Sequence, residues 1–199
     1  MNVELSRRER KKDETRHRIF HAAIDLFRAK GFEQTTVDEI TEKADVAKGT
    51  FFNHFPRKDT ILAYLSEERL LVFEENAGAL LADARPAREK LLDLYSMAAS
   101  SYAEDRELSR YVLVELMAHA FSPANEVMMR WHEQIVRLVV QGQQSGDLRP
   151  DIDPVRCEEL LQAVYFATLY QWVCCVPEAF PLLDELRLRL NLVMEGIAS

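Results

Sequence analysis

Residues 15–62 read TRHRIFHAAIDLFRAKGFEQTTVDEITEKADVAKGTFFNHFPRKDTIL, and the reading of this stretch decides the fold. Ile19, Ala22, Ala23, Leu26 and Phe27 recur at intervals of three and four, which lays one apolar stripe along a helix. The spacing predicts a first helix over 13–30, with Gly31 where a C-terminal cap belongs. Thr36 followed by Glu39 is a capping box, so a short second helix starts there and buries Val37, Ile40 and Ala44. A tight turn through Asp45 and Val46 leads to a third helix over 47–55, which Pro56 stops. Helices this short are marginal alone, so Phe51 and Phe55 must pack them onto the first.

Two short helices joined by a tight turn, packed on a third, make a helix-turn-helix unit. In such a unit the second helix of the pair lies in the DNA major groove, where each base pair shows a distinct set of donors and acceptors. The third helix carries suitable side chains. Lys48 is cationic at its start, and Gly49 lets the backbone come close to a phosphate. Thr50 and Asn53 are short hydrogen-bonding groups that reach base edges, while Phe52 and His54 suit sugar and phosphate. Thr36 and Lys58, each at the start of a helix, are expected to hold phosphate. The same residues also fit a plain packing unit of short polar helices.

Outward from this stretch the chain continues as helix. Apolar periods predict helices over 58–84, 86–103 and 106–120. Ser122-Pro123 and Asp153-Pro154 each read as an N-cap followed by a first helical residue. They open a helix that ends near Gly146 and a very apolar one that runs to Val176. A last helix follows Pro181, with Leu182, Leu186, Leu190, Val193 and Ile197 in period. The expectation is an all-α chain of about nine helices. Residues 13–72 form the helix-turn-helix domain, 73–199 form a helical bundle, and 1–12 are a flexible basic arm.

Composition agrees. Of 199 residues, 48% are hydrophobic, and only 6 are Gly and 7 Pro, too few for a loop-rich β fold. No run is long and apolar enough to span a membrane. The formal charge is −8, but it is uneven: residues 1–18 carry seven basic groups against four acidic ones, and residues 59–199 carry a net −11. Affinity for an anionic polymer depends on local contacts, so the acidic total does not exclude DNA. Three Cys without a Cys-x-x-Cys pair suggest a reducing cytoplasm.

The quoted stretch resembles the DNA-binding domain of the TetR family of bacterial transcriptional regulators. The resemblance rests on Ala22-Ala23, Leu26-Phe27, Gly31-Phe32, Thr35-Thr36-Val37, Ile40, Ala44, Val46, Lys48-Gly49-Thr50 and Asn53-His54-Phe55 with Lys58. It departs from the family at three places. Phe52 stands where Tyr is usual, Asp45 where Gly is frequent in the turn, and Ala47 where Ser often caps the recognition helix. The resemblance implies a homodimeric, ligand-responsive regulator, most simply a repressor, that binds a palindromic operator and is released by a small molecule. It also implies pairing of two subunits through residues 154–176 and 181–197.

Effector contacts are expected among the polar-tipped aromatics and soft groups of the bundle: Tyr95, Tyr102, Met117, His119, Trp131, Tyr165 and Tyr170. No cofactor motif, phosphate loop, nucleophile motif or paired catalytic carboxylate is present, so an enzyme is not expected. His17/His21 and Glu115/His119 have metal-pair spacing but offer only two ligands each. Cys174 and Cys175 read as buried small hydrophobes. Two rival readings are a helical enzyme or carrier that uses the N-terminal unit as scaffold, and an architectural DNA binder with no effector cavity.

Overall fold

A computed structural model of the chain describes residues 6–118, 125–175 and 180–197. Among them are nine α-helices, one π-helical turn and no strand. By its contacts the chain forms two compact units, Met1–Tyr64 and Leu65–Ser199.

In the first unit, α1 spans Arg7–Lys30. It starts earlier than its apolar period. Ser6 and Glu9 form a capping box: Ser6 Oγ accepts from the Glu9 N–H, and the Glu9 carboxylate accepts from the Ser6 N–H. The expected flexible arm is therefore helix from Arg7 onward. An apolar period is blind to this turn because its side chains are all solvated, whereas capping acts on the backbone. Gly31 closes α1 with φ at 88°.

The second helix, α2 (Val37–Lys43), starts at Thr36 with the expected box to Glu39. Asp45 then turns the chain with φ at 51°, a left-handed conformation that a short polar side chain tolerates. The third, α3 (Lys48–His54), follows Ala47, which makes no side-chain capping bond. Phe51 and Phe55 are fully buried with Ile19, Ala23, Phe27 and Ile40, so the two short helices are held by tertiary burial, as their length requires.

α4 (Thr60–Leu81) leads out of the first unit. The second unit contains α5 (Ala87–Ala103), α6 (Arg106–Ala118), α7 (Glu126–Ser145), α8 (Pro154–Tyr170) and α9 (Leu182–Ile197). α5 packs on α7 and α9, and α8 packs on the same two helices. Gly142 allows the first of these contacts: a Cβ there would lie 2.4 Å from the Ala87 Cβ.

The Ser122-Pro123 start signal lies outside the described residues. α7 begins at Glu126, where Asn125 Oδ1 accepts the Met128 N–H at 3.1 Å. The Asp153-Pro154 signal operates as expected, with Asp153 accepting from the Val155 and Arg156 N–H groups. α8 stops at Tyr170 and widens into a π-helical turn, Gln171–Cys175, instead of running on as α-helix. Cys174 is exposed, against the expectation of burial; Cys157 is the buried thiol. The side chain of Cys175 lies outside the described ones. Among the described helices, none is long and apolar enough to cross a membrane.

Candidate functional site

The recognition helix can work only if its hydrophilic flank is open. Lys48, Gly49, Phe52 and Asn53 are exposed, and Thr50 and His54 are half-buried. Phe51, on the opposite side, is the residue that anchors the helix. Lys48 Nζ lies 2.6 Å from Asp38 Oδ1 on α2, with both side chains mostly in solvent. Such a pair is weak, so the ammonium can be redirected to a phosphate at little cost. A Cβ on Gly49 would meet open space, so nothing inside the protein requires glycine there.

Two expected phosphate contacts are committed inside the unit. Lys58 Nζ donates to the carbonyls of Phe32 at 2.7 Å and Thr35 at 2.9 Å, with that of Glu33 at 3.5 Å. It also sits 4.3 Å from the centre of the Phe32 ring. An ammonium has three donors, and all three point at the turn between α1 and α2. The Thr36 hydroxyl accepts from the Glu39 N–H and donates to Glu39 Oε2 at 2.8 Å. Glu39 in turn pairs with Lys30. That pair, followed by the bonds from Thr36, holds its carboxyl down at about 2. Burial, then Lys12 and Arg16, lower the pKa of His54, so its imidazole is neutral near pH 7.

In the second unit, four of the expected effector residues meet. Tyr95, Tyr102, Trp131 and Tyr165 are buried. Trp131 stacks on Phe73 with 3.7 Å between ring centres and on Tyr165 at 5.3 Å, and Tyr165 lies 5.2 Å from Tyr95. A cavity of about 40 Å³ remains beside this cluster, lined among others by Arg69, Tyr102, Trp131 and Tyr165. Arg69 covers the Tyr102 ring at 4.4 Å and donates to the Ser101 carbonyl at 2.9 Å. Tyr170 does not join them; it faces outward, 48% exposed. His119 lies outside the described residues.

Met117 lines a larger groove of about 780 Å³ between α7 and α8. With Phe166 of the apolar helix, this groove contains two residues that apolar periods alone do not single out, His132 and Glu158. Glu158 is fully buried, with Oε2 2.5 Å from His132 Nδ1. Its signal was a carboxylate set in the inward stripe of α8 with Leu161 and Tyr165. Among the described residues, no group of three or more His, Cys, Asp or Glu is arranged to hold a metal.

An exposed recognition helix in a helix-turn-helix unit, joined to an all-helical unit with an aromatic interior, defines a helix-turn-helix transcriptional regulator. Residues 19–65 match the model for bacterial regulatory proteins of the tetR family, and residues 68–196 match that for the C-terminal domain of TetR/AcrR family transcriptional repressors. The chain belongs to this family, and the N-terminal helix-turn-helix is its DNA-binding element.

Similar proteins agree. FadR of Thermus thermophilus, a TetR family repressor solved in complex with lauroyl-CoA, is 31% identical, with a TM-score of 0.71 over 91% of this chain and 94% of that one. FadR of Bacillus subtilis, solved with stearoyl-CoA, is 25% identical, with a TM-score of 0.73 over 91% of this chain and 98% of that one. The fatty acid metabolism regulator protein of Bacillus subtilis is 26% identical over 158 residues, covering 78% of this chain and 81% of its own.

Proposed function

We propose that the protein is a cytoplasmic, homodimeric repressor that binds a palindromic operator and releases it when a small molecule enters the C-terminal unit. The observation that carries the DNA side is the open flank of α3. Thr50 and Asn53 read base edges, while Lys48, the Gly49 backbone, Phe52 and His54 meet sugar and phosphate. Lys58 and Thr36 act from behind, by holding the turns that present α2 and α3. Residues 13–72 serve as the DNA-binding domain and 73–199 as the effector and dimerisation domain, with no catalytic role.

Subunit pairing runs through 154–176 and 181–197. Val155, Leu160 and Tyr170 on α8 and Leu183, Leu188 and Leu192 on α9 are all exposed apolar groups, which supports an apolar face on each helix. The effector enters beside Tyr95, Tyr102, Met117, Trp131 and Tyr165. Coupling of about 1–3 kcal/mol is enough to loosen the operator several-fold.

The larger groove is a poor place for the acyl-CoA that the two FadR proteins bind. The described lining of the larger groove contains Glu133, Glu158 and Glu159 and neither Lys nor Arg, a poor partner for coenzyme A phosphates.

A mobility-shift titration against DNA upstream of the chain's own gene tests the proposal. Retardation at low salt is expected, with Asn53→Ala weakening the specific complex by about 1–3 kcal/mol and leaving non-specific binding in place. A folded dimer that retards no DNA would refute it.

A further inference from the structure

Burying a carboxylate is costly unless its lone pairs are satisfied. Glu158 is fully buried, and His132 satisfies only Oε2. Oε1 has no hydrogen-bond partner among the described residues. Burial pushes the carboxyl above its ordinary range, and His132 opposes that shift without cancelling it. Glu158 is one of the residues that line the 780 Å³ groove, a volume within the range of small-molecule sites, and its unsatisfied oxygen lies just beneath that lining.

The rest of the described lining has a definite chemistry. Glu133 and Glu159 add two acids, and His132 is the only basic group. Met128, Met129 and Phe166 supply a polarisable bed, the surface that an apolar body carrying a positive charge prefers. Among the described lining residues a negatively charged ligand would meet three carboxyl groups, with only His132, already paired to Glu158, beside them.

We propose that the groove between α7 and α8 binds an apolar organic ammonium that donates an N–H to Glu158 Oε1 and lays its hydrocarbon on Met128, Met129 and Phe166. This rests on the reading of the chain as an effector-released repressor, and it places the effector in the groove that Met117 lines, not in the small cavity beside Tyr102, Trp131 and Tyr165.

The test uses the full chain and three probes with one shared body: phenylbutylammonium, phenylbutanol and phenylbutyrate, each titrated by calorimetry. The ammonium is expected to bind about tenfold or more tighter than the alcohol, with no measurable binding of the carboxylate. Glu158→Gln is expected to erase the ammonium's advantage. Met129→Lys, at a position 60% exposed, places a rival cation in the groove without touching the core and is expected to abolish ammonium binding. It decides the matter if Glu158→Gln fails to fold.

Equal affinity for the three probes, no binding of the ammonium, or ammonium binding unchanged in Met129→Lys would overturn the proposal. The ligand-free wild type is run beside them in the mobility-shift assay. DNA retardation without ammonium binding sinks only the cation, whereas absence of retardation sinks the repressor reading itself.

Discussion

At the residue scale, the N-terminal unit separates groups that are open on the flank of α3 from groups that hold its shape. Lys58 belongs to the second set, because its ammonium gathers the carbonyls of the turn after α1. Lys58→Met leaves those carbonyls without their donor and is expected to destabilise the protein by about 1–3 kcal/mol in urea denaturation, with a corresponding loss of DNA binding. If Lys58 served only as a phosphate contact, folding stability would stay at the wild-type level.

His54 gives a pH signature. Its folded pKa lies below the ordinary 6.5, so the unfolded chain takes up a proton first as pH falls. The contribution of the neutral imidazole is complete above about 6.5 and is lost as pH drops through that value toward the folded one. Denaturation at pH 7.5 and 5.5 should show wild type losing more stability than His54→Gln; equal losses would rule this linkage out.

At the element scale, α3 starts without a side-chain cap. Ala47 occupies the N-cap and offers no acceptor to the first turn. Ala47→Ser is expected to add about 1 kcal/mol, read as a raised urea midpoint at unchanged slope. α5 and α7 approach closely at Gly142. There Gly142→Ala would drive a methyl into Ala87 and Leu148, and a loss of about 1–3 kcal/mol is expected in the same assay.

The legibility of each element follows the same physics. α2, α3, the end of α7 and the start of α8 could be read from sequence because Thr36, Pro56, Gly146 and Asp153-Pro154 act on backbone within a few residues. The first turn of α1 and the cap at Asn125 were missed for opposite reasons. The former has no apolar period, and the latter was overshadowed by a stronger Ser-Pro signal just upstream. The recognition flank was legible because Phe51 fixes which side of α3 turns inward. The commitment of Lys58 to carbonyls twenty-odd residues away was not, since a long flexible side chain carries no mark of its partner. Glu158 is marked by its place in the inward stripe of α8, but its partner His132 on another helix is not, for the same reason.

At the scale of the whole molecule, the exposed apolar groups of α8 and α9 carry the last prediction. The inward stripe of α9 is Leu182, Leu186, Leu190, Met194 and Ile197, all buried within the subunit. Leu188 and Leu192 lie off that stripe and are 57% and 62% exposed, and Leu160 on α8 is 54% exposed. Large aliphatic groups repeated along two packed helices are costly to leave in water, and a second copy of the same two helices would cover them with a self-complementary surface. Leu160→Glu combined with Leu192→Glu should therefore turn the proposed dimer into a monomer in sedimentation equilibrium. Neither side chain contributes to the buried core of the subunit, so far-UV dichroism should remain that of a helical protein. Operator affinity should fall steeply, because two joined reading heads engage half-sites at a high effective concentration and a single head does not. A double variant that stays dimeric at micromolar concentration would place the subunit interface elsewhere on the molecule.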